Sequence, residues 1–318
     1  MRIQHIKFKP IIKDKIWGGQ RLRTLLGKDF GSLPNGGESW EISGIDGDLS
    51  VVVDGEFAGM SIVELIEKLG ADLVGKRILD VYGKQFPLLV KFIDANEKLS
   101  IQVHPDDELA RARHDCFGKT EMWYVIEAEE DAQLISGFAR KIEPEQYHGL
   151  VESGHFADVL ASHTVHHGDV FFMPAGRIHA IGRGVMVAEI QQTSGLTYRI
   201  YDYDRVDAKG NKRELHIDEA KDAIDFDDMD SGKRSYLAKV NDGSQIVSCQ
   251  YFTANFIKVG GALKRDYANL DSFVIFVCVG GSVSIDGTAL SYGETLLVAA
   301  STDSVQIEGA GELLEVYI

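Results

Sequence analysis

Four residues in this chain combine ligand chemistry with workable spacing: Gln102, His104, Glu121 and His179. In Ile101-Gln-Val-His-Pro, Gln102 and His104 stand two apart. On an extended strand both side chains leave one face, while Ile101 and Val103 leave the other. Glu121 opens the next apolar run, and His179 follows the Pro174-Ala-Gly turn, where a barrel returns it beside the first strand. Two imidazoles, a carboxylate and an amide oxygen suit zinc first, without excluding other divalent ions. His114, His163, His166 and His167 lie in polar stretches and read as solvated turn residues rather than ligands.

Further groups flank this set. Lys119 precedes Glu121 by two residues and Ser100 precedes Gln102 by two, so each shares a strand face with a ligand if the strands extend that far. Arg199 and Arg205 sit in Tyr198-Arg-Ile-Tyr-Asp-Tyr-Asp-Arg, among aromatics and acids. A guanidinium there can hold a phosphate through two hydrogen bonds or pair with Asp202, Asp204 or Asp207.

The elements that must position these groups are mostly strands. Runs at 86–103, 122–128 and 169–174 are rich in branched and aromatic residues, and from about 235 onward strand and turn alternate. Helical spacing of Ile62, Leu65, Ile66, Leu69 and Leu73 predicts a helical insertion over 61–82, with Ser61 and Glu64 as a capping box and a break near Gly70. Residues 144–160 and 214–226 are expected to be helical as well. An internal repeat decides the architecture. Glu121-Met-Trp-Tyr-Val-Ile, Gly168-Asp-Val-Phe-Phe-Met-Pro-Ala and Val185-Met-Val-Ala-Glu-Ile return as Ser272-Phe-Val-Ile-Phe-Val, Gly293-Glu-Thr-Leu-Leu-Val-Ala-Ala and Glu312-Leu-Leu-Glu-Val-Tyr-Ile. The expectation is a mainly β fold: two cupin or jelly-roll-like β-barrels with inserted α-helical segments. Residues 1–234 would form the catalytic unit and 235–318 a metal-free one, since Ser272 falls opposite Glu121 and Ser304 opposite His179.

Composition removes several function classes. With 318 residues, 44% of them hydrophobic, the chain can bury a large core without covalent staples. Cys116, Cys249 and Cys278 are odd in number and form no CxxC pair, which argues against a disulfide framework or a thiolate site and fits a cytoplasmic setting. Residues 1–10 lack the apolar segment of a secretory leader, and no apolar run is long enough to span a membrane. A net charge of −16 argues against nucleic acid as a partner. Neither a P-loop nor a strand-led GxGxxG is present.

Several stretches together resemble the type I, cupin-fold mannose-6-phosphate isomerases, especially their shorter bacterial members. They are Lys15-Ile-Trp-Gly-Gly, Gly37-Glu-Ser-Trp-Glu-Ile-Ser, Pro87-Leu-Leu-Val-Lys-Phe-Ile-Asp-Ala, Leu99-Ser-Ile-Gln-Val-His-Pro-Asp, Gly118-Lys-Thr-Glu-Met-Trp-Tyr and Gln191-Gln-Thr-Ser-Gly-Leu-Thr-Tyr-Arg-Ile-Tyr-Asp-Tyr. The resemblance covers nearly the whole chain. It implies interconversion of mannose 6-phosphate and fructose 6-phosphate, with one zinc ion on Gln102, His104, Glu121 and His179. It also implies Ser100 and Lys119 in the substrate pocket and Arg199 as a catalytic arginine, and Lys119 and Arg205 are the further candidates for catalysis and phosphate binding. Longer members carry a histidine where this chain has Gly118, and Lys-Pro-Glu where it has Lys119-Thr120-Glu121, so a ring-opening role for that histidine has no residue to fall on. The base stays open among a metal-activated water, Glu189 and Lys119. A sugar-sensing cupin without catalysis and an isomerase of another hexose are the rival readings. A homo-oligomer through the second barrel is compatible with all of them.

Overall fold

In the computed structural model, which describes residues 3, 5–207 and 209–318, the first twelve strands make two sheets. Met1, Arg2, Gln4 and Ala208 lie outside the described residues, and with them part of the stretch read as lacking a leader. Strands are numbered along the chain. The larger sheet has the order β1 (Ile11–Lys13), β2 (Glu38–Ile42), β3 (Leu88–Ala95), β10 (Val185–Gln192), β5 (Glu121–Ala128), β8 (Val170–Met173), β12 (Lys233–Arg234). The smaller has the order β11 (Tyr198–Tyr201), β4 (Ile101–Val103), β9 (His179–Ile181), β6 (Gln133–Phe138), β7 (Leu160–Thr164). His163, expected in a turn, lies within β7.

The pleat sorts the larger sheet's residues between two cores, because successive side chains leave opposite faces. Val90, Phe92, Met122, Tyr124, Ala188 and Ile190 face a core shared with the helical insertion and with Phe256, Ile275 and Leu314 of the C-terminal strands. Ile93, Trp123, Val125 and Val187 face the smaller sheet. Covered on both faces, these strands read as almost continuous apolar runs, and a charge within one of them must find a buried partner.

The C-terminal strands form a six-stranded antiparallel sheet: β13 (Gly243–Ser248), β14 (Thr253–Asp266), β15 (Val274–Ile285), β16 (Thr288–Ser291), β17 (Thr295–Val298) and β18 (Ser304–Tyr317). Their pairing repeats that of the first unit: β14, β18, β15 and β17 are joined in the order of β3, β10, β5 and β8. Cupin-like is therefore the description that holds for the fold, in keeping with the repeat.

The insertion at 61–82 breaks twice, giving Ile62–Leu69, Ala71–Val74 and Lys76–Tyr82. Ser61 and Glu64 form the expected capping box. The break at Gly70 follows the expectation, whereas the one at Gly75 comes from the second unit: the Asp271 carboxylate accepts from the backbone N–H groups of Lys76 (2.6 Å) and Arg77 (2.9 Å). The expected helix at 144–160 appears as two 3₁₀ turns, Pro144–Gln146 and Phe156–Val159, flanking Tyr147–Glu152, and that at 214–226 as Ile217–Ala223. Two helices were not expected, Arg21–Thr24 and Asp107–His114. Gly75 has φ +93°, and a Cβ there would lie 2.5 Å from the Asp271 carbonyl oxygen. Gly75→Ala should therefore destabilise the protein by more than about 1 kcal/mol, and an unchanged urea midpoint would contradict this contact.

Candidate metal centre

Pairing between the two short strands β4 and β9 puts Gln102 directly opposite His179. His104 follows one residue beyond β4, and Glu121 enters from the first residue of β5 in the facing sheet. One ligand atom from each of His104, Glu121 and His179 lies within 4.8 Å of the others, and all three residues are buried.

The hydrogen bonds of the two imidazoles determine which nitrogens face inward. His104 Nδ1 lies 2.8 Å from the carbonyl oxygen of Leu196, and His179 Nδ1 lies 2.8 Å from that of Arg177. A carbonyl only accepts, so each Nδ1 is the donor and each neutral ring turns an unprotonated Nε2 into the site. Those two lone pairs stand 3.2 Å apart and cannot satisfy one another. Glu121 Oε1 lies 3.4 Å from His179 Nε2 and has no hydrogen-bond partner, while Oε2 receives the Lys119 ammonium. The Gln102 amide completes the ring 3.3 Å from His179 Nε2, and rotating its plane presents oxygen in place of nitrogen. Converging lone pairs among buried side chains repel, and a divalent cation at their centre turns that repulsion into coordination. The donor set fits zinc, with room left for a substrate oxygen.

Electrostatics keep the two imidazole donors available. Burial, reinforced by the Lys119 charge, lowers the His104 pKa well below its ordinary value and that of His179 to about 3, so both rings stay neutral. Burial and the neighbouring Glu189 carboxylate push Glu121 up to about 7.

Beside the ligands, one row of side chains crosses four strands of the larger sheet. Trp40 is opposite Lys91, Lys91 opposite Glu189, and Glu189 opposite Trp123. Glu189 accepts from Lys91 at 2.9 Å and from the Trp123 indole at 2.7 Å, and Lys119 Nζ lies 3.5 Å away. Burial alone would raise the Glu189 pKa, but the charges of Lys119 and Lys91 outweigh it and bring it to about 2. The row borders a cavity whose wall also includes Ser100, Gln102, Lys119 and Arg199.

Four of the expected site residues, Ser100, Gln102, Lys119 and Arg199, thus line one space, and His104, Glu121 and His179 meet next to it; Ser100 and Lys119 precede their strands instead of lying within them. Arg205 does not line the cavity. Its guanidinium is directed to the Asp202 carboxylate and to the carbonyl oxygens of Asp202 and Lys98, the ion-pair alternative left open by the sequence. Arg213 lines the cavity in its place, and Lys91 and Glu38 were also missed. For Lys91 a signal existed: a lone cation in the apolar run 88–93. Among the other histidines, His114 contacts the Tyr198 hydroxyl (2.8 Å), His163 packs on Phe171, and His167 donates to the Ile126 carbonyl (2.6 Å). Gly118 leaves no space for a side chain, since a Cβ would lie 2.5 Å from the Asp106 carbonyl carbon. In the second unit, Asp266 paired with Ser304 stands where the first has Gln102 paired with His179.

Two family models match this chain: phosphomannose isomerase type I, catalytic domain, over residues 5–131, and mannose-6-phosphate isomerase, cupin domain, over 243–318. A mannose-6-phosphate isomerase of Streptococcus mutans is 36% identical over 303 residues, covering 94% of each chain. The chain belongs to the type I phosphomannose isomerase family. A crystal structure of the mannose 6-phosphate isomerase from Bacillus subtilis, 31% identical and covering 99% of this chain and 100% of that one, superposes with a TM-score of 0.90. A mannose 6-phosphate isomerase bound with zinc and yttrium, 16% identical over 99% of each chain, shares the fold of the family with a TM-score of 0.78.

The depressed imidazole pKa values have a measurable consequence. A histidine held at about 3 in the folded state and near 6.5 when unfolded stabilises the fold above pH 6.5 and loses that contribution as pH falls toward 3. Between pH 7.5 and pH 5.5 the urea midpoint of the chelated protein should therefore change less favourably than that of a His104→Asn/His179→Asn double variant, in which the opposing contribution of the raised Glu121 carboxyl stands without the histidines. An equal pH effect in both proteins would contradict it.

Proposed function

We propose that this protein interconverts mannose 6-phosphate and fructose 6-phosphate, with one zinc ion held by Gln102, His104, Glu121 and His179. The observation that carries the reading is the convergence of two unprotonated Nε2 atoms and an unpartnered carboxylate oxygen beside a cavity that holds Lys119, Glu189 and Arg199. The division into a catalytic unit, 1–234, and a metal-free unit, 235–318, belongs to the same proposal, as does a cytoplasmic setting, with which the three unpaired cysteines agree. Among the described residues no helix is long and apolar enough to cross a membrane.

Aldose to ketose conversion removes a proton from C2 and gives one to O1, then removes one from O2 and gives one to C1. The bound cation would supply Lewis acidity toward the charge that accumulates on those two oxygens. The remaining steps fall to side chains. We assign Lys119 Nζ, 3.1 Å from His104 Nε2, as the atom that carries the proton between C2 and C1, acting in the form that has first released its own ammonium proton to solvent and so has a lone pair to accept the one from C2. Glu189, held well below the usual carboxylate range, is too acidic for that task and instead positions Lys91 and Lys119 through Oε1, while its Oε2 accepts from the Trp123 indole. Arg199, the cross-strand partner of Gln102, adds a fixed positive charge near the reacting oxygens. Ser100, with its hydroxyl 3.4 Å from Gln102 Oε1, offers a hydrogen bond to the sugar.

Metal content and turnover measured on one preparation test this reading. About one zinc per chain is expected, with mannose 6-phosphate turnover lost on chelation, restored by zinc, and absent in His104→Ala. Metal bound without turnover of any hexose phosphate would favour a sugar-sensing role. Lys119→Met should lower kcat by about 10²- to 10⁴-fold, the usual range for losing a general acid-base group. A rise in KM at unchanged kcat would make Lys119 a phosphate contact instead.

A further inference from the structure

We propose that Arg213, oriented by Asp202, is the residue through which the pocket recognises the phosphate of its substrate. This rests on the sugar-phosphate reading above and assigns that specificity to a residue and a loop outside both sheets. Arg213 belongs to the segment after β11 that folds back along that strand: the backbone N–H of His216 donates to the Arg199 carbonyl at 2.7 Å, and Arg199 Nη1 donates to the Glu214 carbonyl at 2.8 Å. The fold-back brings Arg213 beside Arg199, and both line the catalytic cavity.

Neither guanidinium has its hydrogen-bonding capacity filled by the protein. Arg199 Nε is buried without a partner, an arrangement that costs free energy unless a ligand supplies an acceptor. Arg213 is held from one side, with Nε donating to Asp202 Oδ2 at 2.7 Å and Nη2 donating to Oδ1, and its side chain keeps about a quarter of its surface exposed. Two cations along one wall repel, and the single Asp202 carboxylate is shared with Arg205 as well. A phosphate dianion relieves this imbalance through fork-shaped donors that match its oxygens.

Asp202 also separates the two arginines that follow it. Tyr203 (φ +57°) and Asp204 (φ +55°) are consecutive left-handed residues, so the chain turns sharply and lays Arg205 back over Asp202. Arg205 thus serves as a brace, and Arg213 reaches the cavity. With Arg199 opposite Gln102 in the strand pairing, the same wall includes Gln102, Arg199 and Arg213.

The test compares Arg213→Met and Arg213→Lys with Lys212→Met, a control that removes an exposed neighbouring charge paired with Asp204. Arg213→Met should raise the KM for mannose 6-phosphate and the competitive inhibition constant of inorganic phosphate together, each at least tenfold. Its kcat should stay within about threefold, Arg213→Lys should recover part of the loss, and Lys212→Met should match wild type. Both constants staying within twofold of wild type, or a fall in kcat with phosphate inhibition unchanged, would overturn the assignment. Should Arg213→Met not fold, wild-type protein modified by phenylglyoxal with and without inorganic phosphate gives a second reading by peptide mapping. Protection of Arg213 supports the proposal, and modification at an equal rate overturns it. Protection in a protein that turns over no hexose phosphate would preserve this site while removing the isomerase reading.

Discussion

Two lone pairs and a carboxylate oxygen that face one another among buried side chains are the constraint on which the rest of this structure depends. Such a cluster is unfavourable by itself because the donors repel, and the Lys119 ammonium, 3.1 Å from His104 Nε2, offsets that repulsion only in part. The protein enforces it through groups outside the cluster. Backbone carbonyls of Leu196 and Arg177 fix the tautomers, the pairing of Gln102 with His179 fixes the spacing, and the facing sheet delivers Glu121.

A second carboxylate close to the first would make ionisation harder still, and the charge row answers this. Glu189 lies between the ammonium groups of Lys91 and Lys119, with Trp123 donating from the far side. The row has one residue from each of four neighbouring strands, so sheet register and local electrostatics are the same requirement seen at two scales. The second unit repeats the pairing order and carries Asp266 and Ser304 at the positions of Gln102 and His179. It covers the outer face of the larger sheet and caps the helix Lys76–Tyr82 through Asp271.

The cluster of His104, Glu121 and His179 was legible because its signal is local: polar groups two residues apart on a strand, and a repeat whose second copy has Ser272 and Ser304 opposite Glu121 and His179. The strands and the capped helix after Ser61 were legible for the same reason. Partnerships were harder. Lys91 stood out as a cation in an apolar run, yet its pairing with Glu189 follows from a register linking residues almost a hundred positions apart. The exchange of Arg205 for Arg213 turns on left-handed backbone at Tyr203 and Asp204, two residue types that do not announce it. The helix Asp107–His114 escaped because Ala110 is its one buried residue, which leaves no apolar period to read. Gly75 breaks its helix through contact with Asp271, which no neighbour in sequence reveals.

The most direct test of the metal centre is X-ray absorption at the zinc edge on protein purified with its metal. One zinc per chain, with nitrogen and oxygen ligands near about 2.0–2.2 Å, multiple scattering from two imidazoles and no sulfur, is the result this account predicts. Zinc bound through sulfur, or with no imidazole signal, would contradict it.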